Sequence, residues 1–249
     1  MFYLYRIYKY ELDQNTFLNA IISLNPNVLD EARKLDHETK DKAKHPLYGM
    51  PILLKDNIDA VPMASTAGAA AMAQNYPKES AFIVEQLRNK GALILGKVNM
   101  SEWAYYFCQG CPVGYSAMGG QTLNPYGRKI FETGGSSSGS GVAVAANYAV
   151  AAIGSVTSGS ILSPSGKNSL VGLKPTIGAV SRSGIVPISS SLDTAGPMTK
   201  NVIDNAILMS ALVGVDPNDS YSFESLPIRF DYLDTISFKG LRLGLNRNF

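Results

Sequence analysis

The sequence predicts an α/β fold, a central mixed sheet flanked by helices. Three stretches carry that prediction. "GMPILLK" (49–55) is a short apolar run bounded by glycine and by Asp56-Asn57, as a buried strand would be. "PKESAFIVEQLRNKGALILGK" (77–97) reads as a helix followed by a strand. Pro77 opens the helix, Ile83, Val84 and Leu87 face inward, Gly91 stops it, and "ALILGK" is the strand. Such an αβ unit favours a mostly parallel sheet covered by helices. "GVAVAANYAVAAIGSVT" (141–157) repeats the arrangement, a helix and then a buried strand.

The remaining elements follow in order. Residues 1–45 read as helices, with Val28, Ala32 and Leu35 at helical spacing and Asn25-Pro26 as a start signal. Residues 107–133 are loop-rich. Residues 157–197 are dense in Ser, Gly and Pro with apolar alternation, which suits tight turns between short strands. "TKNVIDNAILMSALVG" (199–214) is a helix capped by Thr199 and stopped by Gly214. Residues 216–227 form a surface loop, and "KGLRLGLNRNF" (239–249) begins another strand. The expected organisation is one domain over 1–249, a helical segment (1–45) followed by an α/β core (46–249).

Composition excludes several classes. The 249 residues carry 22 basic and 20 acidic side chains, a net charge of +2, with no clustering that would mark a nucleic-acid or anionic-membrane partner. The Ala-rich stretch near 142–156 is broken by Asn147 and Gly154 and falls short of the ~20 residues that span a bilayer. Cys108 and Cys111 lack the further ligands of a zinc site and read as two reduced thiols; with no secretory signal, they point to a cytoplasmic protein.

Two small-residue segments and one lysine carry the chemistry. Gly134–Gly141 ("GGSSSGSG") and Thr157–Ile161 ("TSGSI") are turns on which a serine could act as nucleophile among backbone N–H groups. Lys55 is flanked by Ile and Leu residues. Desolvation disfavours its ammonium, so it can serve as a base near neutral pH. The only histidines, His37 and His45, sit in a charged stretch before the first strand, which leaves Lys55 as the better base. A P-loop would need a lysine after Gly139-Ser140-Gly141, and a dinucleotide fingerprint a glycine at Val144. Taken alone, the segment is equally well a tight turn. For Lys55, the competing reading is a salt bridge with Asp56 or Asp59.

Together with "GALILGKVNMSEWA", "GGQTLNPYG", "VGLKPTIGAVSRSGIVPIS" and "DTAGPMT", these segments resemble the amidase signature family, in its peptide-amidase-like branch, nearly end to end. The resemblance implies hydrolysis of linear amide C–N bonds by a Ser–cis-Ser–Lys triad. Ser160 matches the nucleophile, Ser136 the bridging serine on a cis peptide, and Lys55 the base. The backbone N–H groups of Thr157, Ser158, Gly159 and Ser160 match the oxyanion hole, and no metal or cofactor is implied. Ser136 Oγ is expected between Lys55 Nζ and Ser160 Oγ. The substrates implied are small carboxamides, including peptide C-terminal amides, with no nucleic-acid or membrane partner.

The sequence departs from the family pattern at Val156, where an acidic residue is usual, and at Ser158, Leu162, Lys167 and Ser169. Family members run to about twice this length. The chain therefore reads as an N-terminal portion, with self-association through an exposed sheet edge as an expectation. These departures support a rival reading, a catalytically impaired remnant or binding module that keeps the fold; the retained Ser160, Ser136 and Lys55 oppose it. A third, an amidotransferase component passing ammonia to a tRNA-bound substrate, lacks nucleic-acid contacts in this sequence.

Overall fold

Strand β2 (Pro51–Lys55) lies inside a six-stranded sheet because its run of Ile52, Leu53 and Leu54 has no polar face to show to water; all three are fully buried. The structure is a computed structural model describing residues 1–38, 45–107, 110–224, 228, 237, 239–242 and 244. β2 pairs in parallel with β3 (Leu93–Val98) on one side and with β6 (Ala151–Val156) on the other. The sheet continues antiparallel at both ends. β1 (Ile21–Leu24) joins β3, β8 (Thr194–Thr199) joins β6, and the short β7 (Val171–Gly172) joins β8, giving the order β1-β3-β2-β6-β8-β7. A two-stranded ribbon, β4 (Tyr115–Ser116) and β5 (Gly120–Gln121), lies outside this sheet.

Helices cover both faces. Alternation along β2 sends Ile52 and Leu54 into one core, with Ile83, Val84 and Leu87 of α3 (Phe82–Asn89) and Leu208, Met209 and Leu212 of α6 (Val202–Leu212). Leu53 turns to the other core, with Val142, Ala143 and Val144 of α4 (Ser138–Ala145) and with Ile7 and Val28 of α1 (Phe2–Glu11) and α2 (Val28–His37). α4 approaches the sheet closely through Gly139, whose N–H donates to Asn99 O at 2.8 Å. A Cβ there would sit 2.4 Å from Asn99 N and 2.7 Å from Ala20 O, both backbone atoms, so only glycine lets the helix dock at this depth.

The structure corrects several expectations. The N-terminal segment is not wholly helical: Ile21–Leu24 is an edge strand, its β-branched Ile21-Ile22 pair suiting a ladder with β3. The sheet itself is mixed, as the fold class expects, with two parallel and three antiparallel pairings. α3 begins at Phe82, not Pro77, and Ala81 before it is extended. α6 is capped by Asn201, whose side chain accepts from Asp204 N, whereas Thr199 ends β8. A helix absent from the sequence reading, α5 (Leu162–Lys167), follows the second Gly/Ser turn. Cys111 is disulfide-bonded, so the expected pair of reduced thiols does not hold; Cys108 lies outside the described residues. Most of the strand expected over 239–249 also lies outside them, and none of the residues described there is in a strand. No helix among the described residues is long and apolar enough to cross a membrane.

Candidate active site

β2 and β6 run side by side in the same direction, so their carboxyl ends open at one edge of the sheet, where α/β folds place their ligands. Lys55 is the last residue of β2, and Ser155 is the penultimate residue of β6. The loop leading into α4 brings Ser136 to the same place. The Lys55 side chain is fully buried. Its Nζ donates to Ser136 Oγ at 2.8 Å, to Ser155 Oγ at 2.9 Å and to Ser155 O at 3.2 Å. Burial holds this lysine far below its ordinary range, at about 7, with the Asp193 carboxylate pulling in the opposite direction.

The neighbouring serines divide by what their hydroxyls do. Ser137 Oγ donates to Ser155 O (3.1 Å), Ser138 Oγ to Gly134 O (2.7 Å) and Ser140 Oγ to Ile153 O (3.2 Å). These three satisfy backbone carbonyls and fix the segment to β6 and to its own turn. Ser136 Oγ has only Lys55 Nζ as a partner among the described residues. The Gly135–Ser136 peptide bond is cis. Gly154 on β6 makes room for this packing; a Cβ there would lie 2.9 Å from both Ser137 Oγ and Ile161 Cγ1.

Ser160 is half-buried beside this cluster, and its carbonyl accepts from Ser137 N at 3.1 Å. Among the described residues, its hydroxyl makes no hydrogen bond, so the structure joins Lys55 to Ser136 but does not draw the expected Ser136–Ser160 contact. The N–H groups of Thr157, Ser158, Gly159 and Ser160 likewise donate to no group among the described residues, leaving four donors on one turn. Thr157 Oγ1 donates to Asp193 Oδ1 at 2.5 Å. Asp193 Oδ2 accepts from Ile188 N and Ser189 N at 2.7 and 2.8 Å, which clamps the 188–189 loop against the turn. Val156 packs in a small apolar cluster with Ile161 and Met198, while Ser158, Leu162, Lys167 and Ser169 are exposed.

A cavity of about 300 Å³ opens here, lined by Asn57, Ser155, Thr157, Asp193 and the 185–190 loop. A second, of about 160 Å³, is walled by Met100, Trp103, Tyr106 and Phe107 and meets the first at Asn57 and Val186–Ile188. Neither Ser136 nor Ser160 lines either cavity. Asn57, Ser155 and Asp193 were not singled out from the sequence for the site. Asn57 carries a signal, two residues beyond Lys55; Asp193 carries only its place at the head of the "DTAGPMT" segment, and its contacts depend on a loop closing from far along the chain.

The salt bridge considered for Lys55 belongs instead to Lys97. Lys97 Nζ lies 3.8 Å from Asp56 Oδ1, both side chains fully buried, and donates to Asp56 O, Ala64 O and Ser65 Oγ. The other Asp56 oxygen accepts from Thr66 N, Thr66 Oγ1 and Gly68 N. Removing one partner strands a buried charge, so Asp56→Ala should lower unfolding free energy by roughly 3–5 kcal/mol. Denaturant titration checks this; a loss below about 1 kcal/mol would show that the pair does not hold the 56–68 loop.

The amidase family profile matches residues 2–249. A putative amidase of Arthroderma benhamiae is 41% identical over 240 residues, covering 94% of this chain and 40% of its own. A probable amidase of Arabidopsis thaliana is 42% identical over 240 residues, covering 93% and 47%. The crystal structure of native peptide amidase from Stenotrophomonas maltophilia superposes with a TM-score of 0.84 at 49% identity, over 88% of this chain and 45% of that one. The chain thus spans less than half the length of these relatives. The profile match from residue 2 to residue 249, and the shared fold at this identity, agree with the sheet-edge cluster of lysine and serines: the chain belongs to the amidase family.

Proposed function

We propose that this chain is an amide-bond hydrolase acting on linear carboxamides, peptide C-terminal amides among them, with Ser160 as nucleophile, Ser136 as relay and Lys55 as base. The observation that carries this reading is the buried 2.8 Å contact between Lys55 Nζ and a serine hydroxyl with no other partner among the described residues. With a lysine held at about 7, much of the base is neutral at physiological pH. Neutral Lys55 takes the Ser136 proton as Ser136 takes that of Ser160, and Ser160 Oγ bonds to the carbonyl carbon. The oxyanion forms among the four N–H groups of Thr157–Ser160. Collapse breaks the C–N bond, and the proton held by Lys55 returns through Ser136 to the leaving amine. Water then attacks the acyl-enzyme by the same relay.

The peptide amidase with which this chain shares its fold supports the substrate class. The relay requires Ser160 Oγ to come within hydrogen-bond reach of Ser136 Oγ when substrate binds, and catalytic hydrogen bonds in unliganded sites often tighten only then. A fluorophosphonate probe tests the assignment. A covalent adduct on Ser160, lost on its replacement, supports it; an adduct elsewhere overturns it. The unbonded Ser160 hydroxyl, outside both cavities, favours the second reading, a catalytically impaired member of the family. Absence of any adduct on folded protein would select that reading.

A further inference from the structure

Asn57 is buried, two residues beyond Lys55, and its Nδ2 donates to Ser155 Oγ at 2.9 Å and to Val186 O at 3.4 Å. A backbone carbonyl can only accept, so the side of the amide facing Val186 O and Ser155 carries the NH2 group. Ser155 Oγ is in turn a 2.9 Å partner of Lys55 Nζ. We propose that Asn57 is a positioning residue that holds the Ser155 hydroxyl against Lys55 and so sets the proton affinity and the aim of that lysine. The inference rests on the catalytic role proposed for Lys55.

Counting hydrogens shows what Ser155 does. Protonated Lys55 has three N–H groups and meets three acceptors, Ser136 Oγ, Ser155 Oγ and Ser155 O. Neutral Lys55 has two N–H groups and one lone pair. If both oxygens of Ser155 take the two N–H groups, the lone pair is left facing the Ser136 hydroxyl, the direction a base needs. A serine side chain has three staggered positions, and only a fixed one keeps Oγ on Lys55. Asn57 supplies that restraint. Without it the ammonium loses an acceptor, and because hydrogen bonds to the charged form favour it, Lys55 becomes less basic still. The other charges near the site leave this tie to act on Lys55. Asp193 faces Lys55 and favours its charged form, Asp56 and Lys97 pair with each other, and Arg182 is committed to Asp219.

The test is the titration of Lys55, read from its ζ-nitrogen by NMR on the lysine-labelled chain, alongside the pH dependence of fluorophosphonate labelling. Asn57→Ala should move the Lys55 titration to lower pH by on the order of one unit, the size expected for one hydrogen bond to a charged group. Ser155→Ala should produce a similar shift, and the double variant no more than either alone, because Asn57 acts through Ser155. A merely structural role would lower stability without this shared shift. An unmoved titration in Asn57→Ala, or additive shifts in the double variant, overturns the inference. If Asn57→Ala fails to fold, an unmoved titration in Ser155→Ala overturns it equally. The NMR readout needs no turnover. A wild-type protein that titrates as expected but is never labelled at Ser160 refutes the catalytic reading and leaves the Asn57–Ser155–Lys55 coupling standing.

Discussion

Ser160→Ala should abolish amide hydrolysis and probe labelling, with kcat falling at least about 10⁴-fold, while the thermal transition stays in place. The size follows from the proposed chemistry: without Oγ there is no acyl-enzyme, and the four N–H donors of the turn have no tetrahedral oxyanion to stabilise. The tolerance of the fold follows from the structure. Ser160 is half-buried, its hydroxyl bonds to nothing among the described residues, and the tie to Ser137 runs through its carbonyl, which alanine keeps. Ser136→Ala should also be severe, but it removes a partner from buried Lys55 and so should alter that residue's titration as well. Residual labelling in Ser160→Ala would place the nucleophile elsewhere, with Ser136 the first candidate, and would overturn the assignment of roles to the two serines.

The elements legible in the sequence are those whose burial leaves a one-dimensional trace. β2, β3 and β6 are apolar runs because both faces of each are covered, and α6 is an apolar helix packed against the same core. α5 leaves no such trace. Its sequence, Leu-Ser-Pro-Ser-Gly-Lys, has Leu162 exposed and buries only Pro164 and Ser165, so tertiary contacts decide its conformation. The site divides in the same way. Lys55 stood out because a charge inside an apolar strand is expensive unless it is used or paired. Ser136 could not be told from Ser137, Ser138 and Ser140 by local pattern; only the fold shows that three of these hydroxyls are engaged by backbone carbonyls and one by a lysine. That distinction came from resemblance to the family, not from composition or spacing.

Lys55→Ala should reduce kcat/KM by about 10²–10⁴-fold, the usual contribution of a general base. Wild-type activity should rise with pH through an ionisation near 7, which the variant lacks. A His37→Ala, His45→Ala double variant should keep that limb; if it dies while Lys55→Ala survives, the serine–lysine relay is wrong. Stability supplies an independent check through Lys55→Met. In the folded chain burial holds Lys55 at about 7, while in the unfolded chain it titrates near 10.5. Between those values the unfolded state binds the proton that the folded state has released, so unfolding free energy rises with pH. The cost of burying Lys55 is therefore complete below pH 7 and gone above about 10.5. Lys97, held at about 8 by burial against the pull of Asp56 and Asp59, adds a rise of the same sign at higher pH in both proteins. Measured against wild type, Lys55→Met should be at its relatively most stable below pH 7 and should lose that advantage steadily up to pH 10. A difference that stays flat across this window would mean that Lys55 titrates normally in the folded chain, and the case for a neutral lysine base would fall with it.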